Sequence, residues 1–259
     1  MIRFSIITCI YQAASELPKT LESVLHQRYR HVEHIIIDGA STDGTKDIVE
    51  RYIQANDDNE DCIHRVVFVS EPDKGLYDAM NKGLEKATGN YVVFLNAGDT
   101  FPSTDTLEHI AGCVGEGEAH PGVLYGDTDI VDDTGRFLRR RRLSPPRKLT
   151  WRSFRNGMLV CHQAFYVRAD IAKSIPYDTH YKYSADVDWC IKVMKKAAQQ
   201  HMTLRNVNAV IANYLDGGLS VKNHKASLKE RFHVMQSHYG LLTTLIFHFW
   251  FLIRSVIQK

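Results

Sequence analysis

Up to Asp99, short apolar runs alternate with longer segments in which apolar residues recur every three or four positions. Phe4-Ser5-Ile6-Ile7-Thr8-Cys9-Ile10-Tyr11 and the runs 32–37, 66–69 and 91–95 are dense in β-branched and aromatic residues, so each reads as a strand. Between them, Leu17, Leu21, Val24 and Leu25 repeat at helical spacing, behind a capping Ser15 and with Pro18 in the first turn. Ile48, Val49, Tyr52 and Ile53 mark a second helix, and residues 76–87 a third. The pattern predicts β-α-β-α-β-α-β, an α/β doubly wound and mostly parallel sheet.

Past Asp99 the rhythm changes. A helix is predicted over 106–114, a strand over 123–127, strand-like runs over 158–167 and 207–214, and helices from Ala185 and over 225–239. The carboxylates of Asp127, Asp129, Asp132 and Asp133 surround Thr134-Gly135 and read as a solvated hairpin turn. Residues 56–61 and 115–122 read as surface loops. The segment 241–253 is apolar and aromatic but shorter than the roughly 20 residues a membrane-spanning helix needs, so it reads as an interfacial helix or one packed on the domain. The expected division is a domain over 1–220, with halves 1–100 and 101–220, and a helical tail over 221–259.

Composition changes this picture little. The chain has 259 residues, 44% hydrophobic and 24% charged, with a net charge of +2, which gives no reason to expect a nucleic acid partner. Its five cysteines lack any metal-binding spacing, and the N-terminus lacks a signal peptide's apolar core, so a cytoplasmic location is expected. Charge is uneven, however. Basic residues crowd 139–155, interleaved with Trp151 and Phe154, which suits anionic phosphates or an anionic membrane.

The chemistry is expected at strand ends, because ligands of open parallel sheets bind beyond the carboxyl ends of the strands. Asp38 follows the second strand, Asp99 follows the fourth in Asn96-Ala97-Gly98-Asp99, and Asp186 sits at a helix start whose dipole favours its ionised form. No GxGxxG follows the first strand and there is no GxxxxGK[ST] loop, which argues against dinucleotide binding and P-loop phosphoryl transfer. A nucleotidyltransferase would want a glycine-rich loop where Thr8-Cys9-Ile10-Tyr11-Gln12 stands.

Four ordered segments carry a resemblance: residues 5–12, residues 35–45, Gly75-Leu76-Tyr77-Asp78-Ala79-Met80-Asn81-Lys82-Gly83, and the strand ending in Asn96-Ala97-Gly98-Asp99. Together they resemble family 2 glycosyltransferases of the GT-A fold, of the bacterial kind that builds exopolysaccharide, capsule or O-antigen units. His162-Gln163 and Ala185-Asp186 fit the same pattern more thinly. The resemblance implies an inverting sugar transfer from a nucleotide-sugar, a UDP-sugar first, to a glycan or a polyprenyl-diphosphate-linked acceptor. Thr8 and Tyr11 would line the nucleotide pocket, Asp38 would accept a hydrogen bond from the base, and Lys74 would face the diphosphate. Asp78 and Asn96 belong to the same motifs. Asp99 would ligate Mn²⁺ or Mg²⁺, and Asp186 would be the general base. One departure stands out: the family's Asp-x-Asp, often followed by another Asp, retains only Asp99, with Asn96 and Gly98 in place of the other acids. Weak metal affinity is expected, and a catalytically inactive scaffold that binds glycans is the competing reading.

Overall fold

The computed structural model describes residues 1–59, 64–115, 120–218 and 223–257, the side chains of 255–257 excepted. An eight-stranded sheet forms the centre, in the order β3-β2-β1-β4-β7-β5-β6, with β8 beside β5. Strands β1 (Phe4–Ile10), β2 (Val32–Asp38), β3 (Arg65–Ser70) and β4 (Tyr91–Phe94) are mutually parallel, joined through α1 (Leu17–Leu25), α2 (Thr45–Asp57) and α3 (Leu76–Lys86). β1 and β2 are buried along their whole length, because helices cover both faces of this half. α1 and α2 close one small core around Leu17, Leu21, Ile36, Val49 and Tyr52. α3 and the second half of the chain close the larger core on the other side.

After α4 (Thr106–Gly112) the sheet turns mixed. β7 (Phe165–Arg168) runs antiparallel to β4, and β5 (Val123–Val131) runs antiparallel to β7 and to β6 (Phe137–Arg140). β8 (Leu204–Leu215) then pairs parallel with β5. α5 (Ala169–Lys173), α6 (Ala185–Gln199), α7 (His224–Tyr239) and α8 (Leu241–Ile257) complete the described elements. α7 and α8 meet at Gly240, whose φ of 81° suits only a residue without a Cβ.

Several sequence expectations need correction. The N-cap of α1 is Glu16, and Ser15 spends its hydroxyl on the Glu16 carboxylate, so Ser15 caps nothing. Residues 158–164 are not strand. Arg141 takes the Met158 and Leu159 carbonyls at 2.7 and 3.3 Å, and His162–Ala164 coils into a 3₁₀ turn, so only Phe165 onwards joins the ladder. Two cations of the basic segment have acid partners, Arg139 bonding Asp216 at 3.1 Å and Arg140 lying 3.9 Å from Asp129, though both stay more than half exposed, and Trp151 stacks on Tyr239 at 5.6 Å. Of the aspartate cluster, Asp132 and Asp133 lie in the hairpin turn, where Asp132 accepts the Thr134 and Arg136 amides, while Asp127 and Asp129 belong to β5 itself and are partly buried. Cys9, Cys113, Cys161 and Cys190 are free thiols, and Cys62 lies outside the described residues. So do Glu60 and Asp61 of the acidic loop, residues 116–119, Leu219-Ser220 and Lys259.

Candidate active site

The nucleotide-side rim is assembled by turns whose carboxylates bond nearby backbone. Asp38 ends β2 fully buried. Its two oxygens accept the Ser41 amide at 3.2 and 3.1 Å, and Ser70 donates to Oδ2 at 2.6 Å. Tyr11 stands 66% exposed just past β1. A Cβ on Gly39 would lie 2.6 Å from Asp73 Oδ2 and 3.2 Å from the Tyr11 ring, so these three segments meet closely and a larger residue would have to displace those side chains. Thr8 is not at this surface. It is fully buried, donating to the Leu95 carbonyl at 2.8 Å and sharing a 2.9 Å bond with His34 Nε2. Lys74 is exposed, and its amide donates to Asp78 at 2.9 Å. Asp78 therefore closes the loop before α3, with Lys82 4.0 Å away, instead of facing a ligand.

Asp99 follows β4 in a turn held from both sides. The Thr20 hydroxyl donates to the Asp99 carbonyl at 2.8 Å and accepts the Gly98 amide at 2.9 Å. Gly98 has a φ of 93°, and a Cβ there would lie 2.5 Å from Leu215 Cδ2. That contact explains the missing acid at this position: the turn has neither the backbone nor the room for an aspartate. The Asp99 side chain accepts Gln163 Nε2 at 2.7 Å and the Leu215 amide at 3.2 Å. Burial pushes its carboxyl up to about 6, against the pull of those hydrogen bonds.

Asp186 opens α6 and meets the neighbouring residue of the same 3₁₀ turn. His162 Nδ1 lies 3.4 Å from Asp186 Oδ2, while Tyr77 donates to Oδ1 at 3.4 Å and the Val187 amide at 2.9 Å. On its other side, His162 Nε2 is 3.2 Å from Asn96 Nδ2. With Asn96 donating, the imidazole proton sits on Nδ1 and points at Asp186. Burial works to raise the Asp186 pKa, but His162 and the nearby Arg231 outweigh it and hold the carboxyl below its usual value. His162 and Gln163 thus tie together Asn96, Asp99 and Asp186. Three of the sequence-predicted site residues are brought to one place, whereas Thr8 and Asp78 bond within the protein.

The residues suit a divalent cation of limited kind. Among the described residues no group of three His, Cys, Asp or Glu side chains converges. Asn96 Oδ1, however, is buried without a hydrogen-bond partner, three residues before Asp99 in the same turn. One carboxylate and one amide oxygen fit a hard cation that takes its remaining ligands from water and a diphosphate, as Mg²⁺ commonly does.

The profile of the family described as Glycosyl transferase family 2 matches residues 5–175. The chain belongs to that family. A PGL/p-HBAD biosynthesis glycosyltransferase of Mycobacterium bovis is 33% identical over 219 residues, covering 84% of this chain and 78% of the relative. The putative teichuronic acid biosynthesis glycosyltransferase TuaG of Bacillus subtilis is 42% identical over 40% of this chain and 38% of its own. S. aureus TarS in complex with UDP-GlcNAc superposes with a TM-score of 0.69 at 19% identity, over 91% of this chain and 65% of the TarS chain. The mannosyltransferase PcManGT of Pyrobaculum calidifontis, in complex with GDP-Man and Mn²⁺, gives 0.62 at 18% identity, over 91% and 62%. At these identities the likeness is one of fold, that of a GT-A glycosyltransferase. Against the TarS chain, this family 2 member spans about two thirds of the length.

Sequence reasoning missed two groups at the Asp186 end. Tyr77 lay inside the Gly75–Gly83 motif without a role, and its partner is 109 residues away. Arg231 sits on α7 one residue past Glu230, whose carboxylate accepts the Lys182 and Tyr183 amides at 2.9 and 2.8 Å and so fixes α7 against the start of α6. Burial disfavours the Arg231 charge and Asp186 favours it, while its Nε finds no hydrogen-bond partner. Nothing in a helix with several cations singles out this one.

Proposed function

We propose that this family 2 protein is an inverting glycosyltransferase that moves a sugar from a nucleotide-diphosphate sugar, a UDP-sugar, to a glycan or lipid-linked acceptor in the synthesis of surface polysaccharide or glycolipid. The observation that carries this reading is the His162-Gln163 bridge, which brings two carboxylates in different states to one place: His162 and Arg231 hold Asp186 low, while burial raises Asp99 to about 6 against the pull of Gln163. Relatives named for PGL/p-HBAD and teichuronic acid biosynthesis, and neighbours bound to UDP-GlcNAc or GDP-Man, support it.

In the proposed reaction the acceptor oxygen attacks the anomeric carbon opposite the leaving group. The new C–O bond forms as the bond to the diphosphate oxygen breaks, and the acceptor proton passes to Asp186. An acid held ionised below its usual value is a weak base, so proton transfer comes late. His162 orients that carboxylate through its Nδ1–H and is itself held by Asn96. Asp99 and Asn96 would hold Mn²⁺ or Mg²⁺, which when bound offsets the charge gathering on the nucleoside diphosphate. Arg231 adds positive charge at the Asp186 end.

The test is binding and turnover across a panel of nucleotide-sugars, with and without Mn²⁺, for the native protein, Asp99→Ala and Asp186→Ala. Metal-dependent binding that Asp99→Ala loses and Asp186→Ala keeps, with turnover lost in both, is the expected result. Binding of no donor under any metal condition would put the scaffold reading first. That reading draws on one feature: both Asp99 oxygens already have partners within the protein.

A further inference from the structure

α8 has two unlike faces. Thr244, Phe247, His248 and Phe251 turn inward: Thr244 is fully buried, His248 packs on Phe232 at 4.9 Å, and the Arg155 guanidinium lies 5.7 Å over the Phe247 ring. Leu242, Leu245, Ile246, Phe249 and Trp250, spaced i, i+3, i+4, i+7 and i+8, turn outward, with Leu242 78%, Ile246 66% and Phe249 65% exposed. Most of the large apolar side chains left exposed among the described residues are on this one helix. An apolar stripe of this size on a folded domain marks an interaction surface.

The surroundings identify the partner's chemistry. Residues 139–155 hold eight Lys or Arg and no Asp or Glu, and the only charged residue of α8 is Arg254. Arg152 and Arg155 lie on the 3₁₀ turn Trp151–Asn156 against which α8 packs, and Arg254 reaches the Asn156 carbonyl at 3.3 Å. Arg142 stands close enough to Arg254 to oppose its charge. Arg142, Arg152, Arg155 and Arg254 therefore put cations along the flank of the apolar stripe. Two copies joined symmetrically through this face would bring like charges together, while an anionic bilayer would accept both the stripe and its flank. No described helix is long and apolar enough to cross a membrane.

We propose that the outer face of α8 docks on the surface of an anionic membrane, lying in the interface, with Arg142, Arg152, Arg155 and Arg254 meeting lipid phosphates. The sequence left open whether this segment lies at a membrane or packs on the domain; its inner face does the second and leaves the outer face for the first. The proposal does not rest on the catalytic roles above, and its test does not read activity.

The experiment is flotation of the full chain with vesicles of phosphatidylcholine alone or mixed with phosphatidylglycerol, at low and high salt. Native protein is expected to float with the anionic vesicles, less so at high salt, and to stay behind with the neutral ones. Leu245→Glu/Phe249→Glu, two exposed positions whose change leaves the inner face intact, should lower partitioning by about tenfold or more, with an unchanged thermal midpoint. Arg152→Glu/Arg155→Glu should weaken only the anionic, salt-sensitive part. Equal binding of both double variants and the native chain would overturn the proposal. So would a native dimer that ignores vesicles and falls apart in Leu245→Glu/Phe249→Glu, since that would make the face a contact between copies.

Discussion

The two ends of the candidate site are built by different means. On the nucleotide side, Asp43 bonds Thr45, Asp73 bonds the Gly75 amide and Asp78 bonds the Lys74 amide, each within a few residues. On the acceptor side, Gln163 reaches Asp99 across 64 residues, and His162 reaches Asn96 across 66. The first rim shapes each loop by local turn chemistry and then ties the loops to one another through Gln12–Ser41, Ala14–Asp43 and Ser70–Asp38 bonds. The second exists only once the sheet has brought β4, the 3₁₀ turn and α6 together. A single substitution should therefore disturb loop shape on one side and uncouple distant functional groups on the other.

The largest expected effect tests that asymmetry at its centre. Asp186→Asn should lower kcat by about 10²–10⁴ while donor affinity holds, because a neutral amide cannot take the acceptor proton. A parallel loss of donor affinity, measured by calorimetry, would show Asp186 to be part of the nucleotide side and would break the comparison. Gln163→Leu comes next. It removes the donor that orients Asp99, and loss of such an outer partner costs roughly tenfold to a hundredfold in metal affinity. A Mn²⁺ titration of donor binding reads this directly; an unchanged midpoint would detach Asp99 from the cation.

His162→Ala is expected to lower kcat by about tenfold and to leave a signature that mere loosening would not. His162 helps hold the Asp186 carboxyl below its usual value, so removing it lets burial raise that pKa. The base acts ionised, and its ionised fraction then falls at a higher pH. The acid limb of the kcat profile should move upward, and a scaled profile with unmoved limbs would reduce His162 to packing.

These differences also explain what could be read in advance. The parallel half was legible because each strand and helix announces itself by period, and because Asp38 and Asp99 sit where apolar runs stop. The 3₁₀ turn was not, since Met158 to Val167 is apolar enough to read as one strand. What breaks it is Arg141, a residue whose binding of the Met158 carbonyl has no trace in the local pattern. Asp186 was legible by its place at a helix start and by resemblance, but its partners Tyr77 and Arg231 come from α3 and α7, and no spacing links them. Gly98 shows the reverse case. Its departure from the family's acid read as a sign of weak metal affinity, and the structure supplies a steric reason in Leu215.

Thr8 gives the smallest expected effect and the cleanest separation of packing from binding. Its position past the middle of a strand that leads to the site suggests a pocket residue, yet its hydroxyl lies between the Leu95 carbonyl and His34 Nε2 inside the sheet. His34 is also bonded to Tyr52 at 2.7 Å, and burial drives its pKa down to about 3, so the ring is neutral and depends on these two hydroxyls. Thr8→Val keeps the shape and leaves the Leu95 carbonyl and one imidazole nitrogen unpaired, at a cost of about 1–3 kcal/mol. Urea unfolding should show that loss as a lower midpoint with an unchanged slope. Donor affinity should be unchanged, since no ligand atom can reach a fully buried hydroxyl. If the midpoint held and donor affinity fell, Thr8 would belong to the pocket, and the nucleotide side would reach deeper between β1 and β4 than its hydrogen bonds indicate.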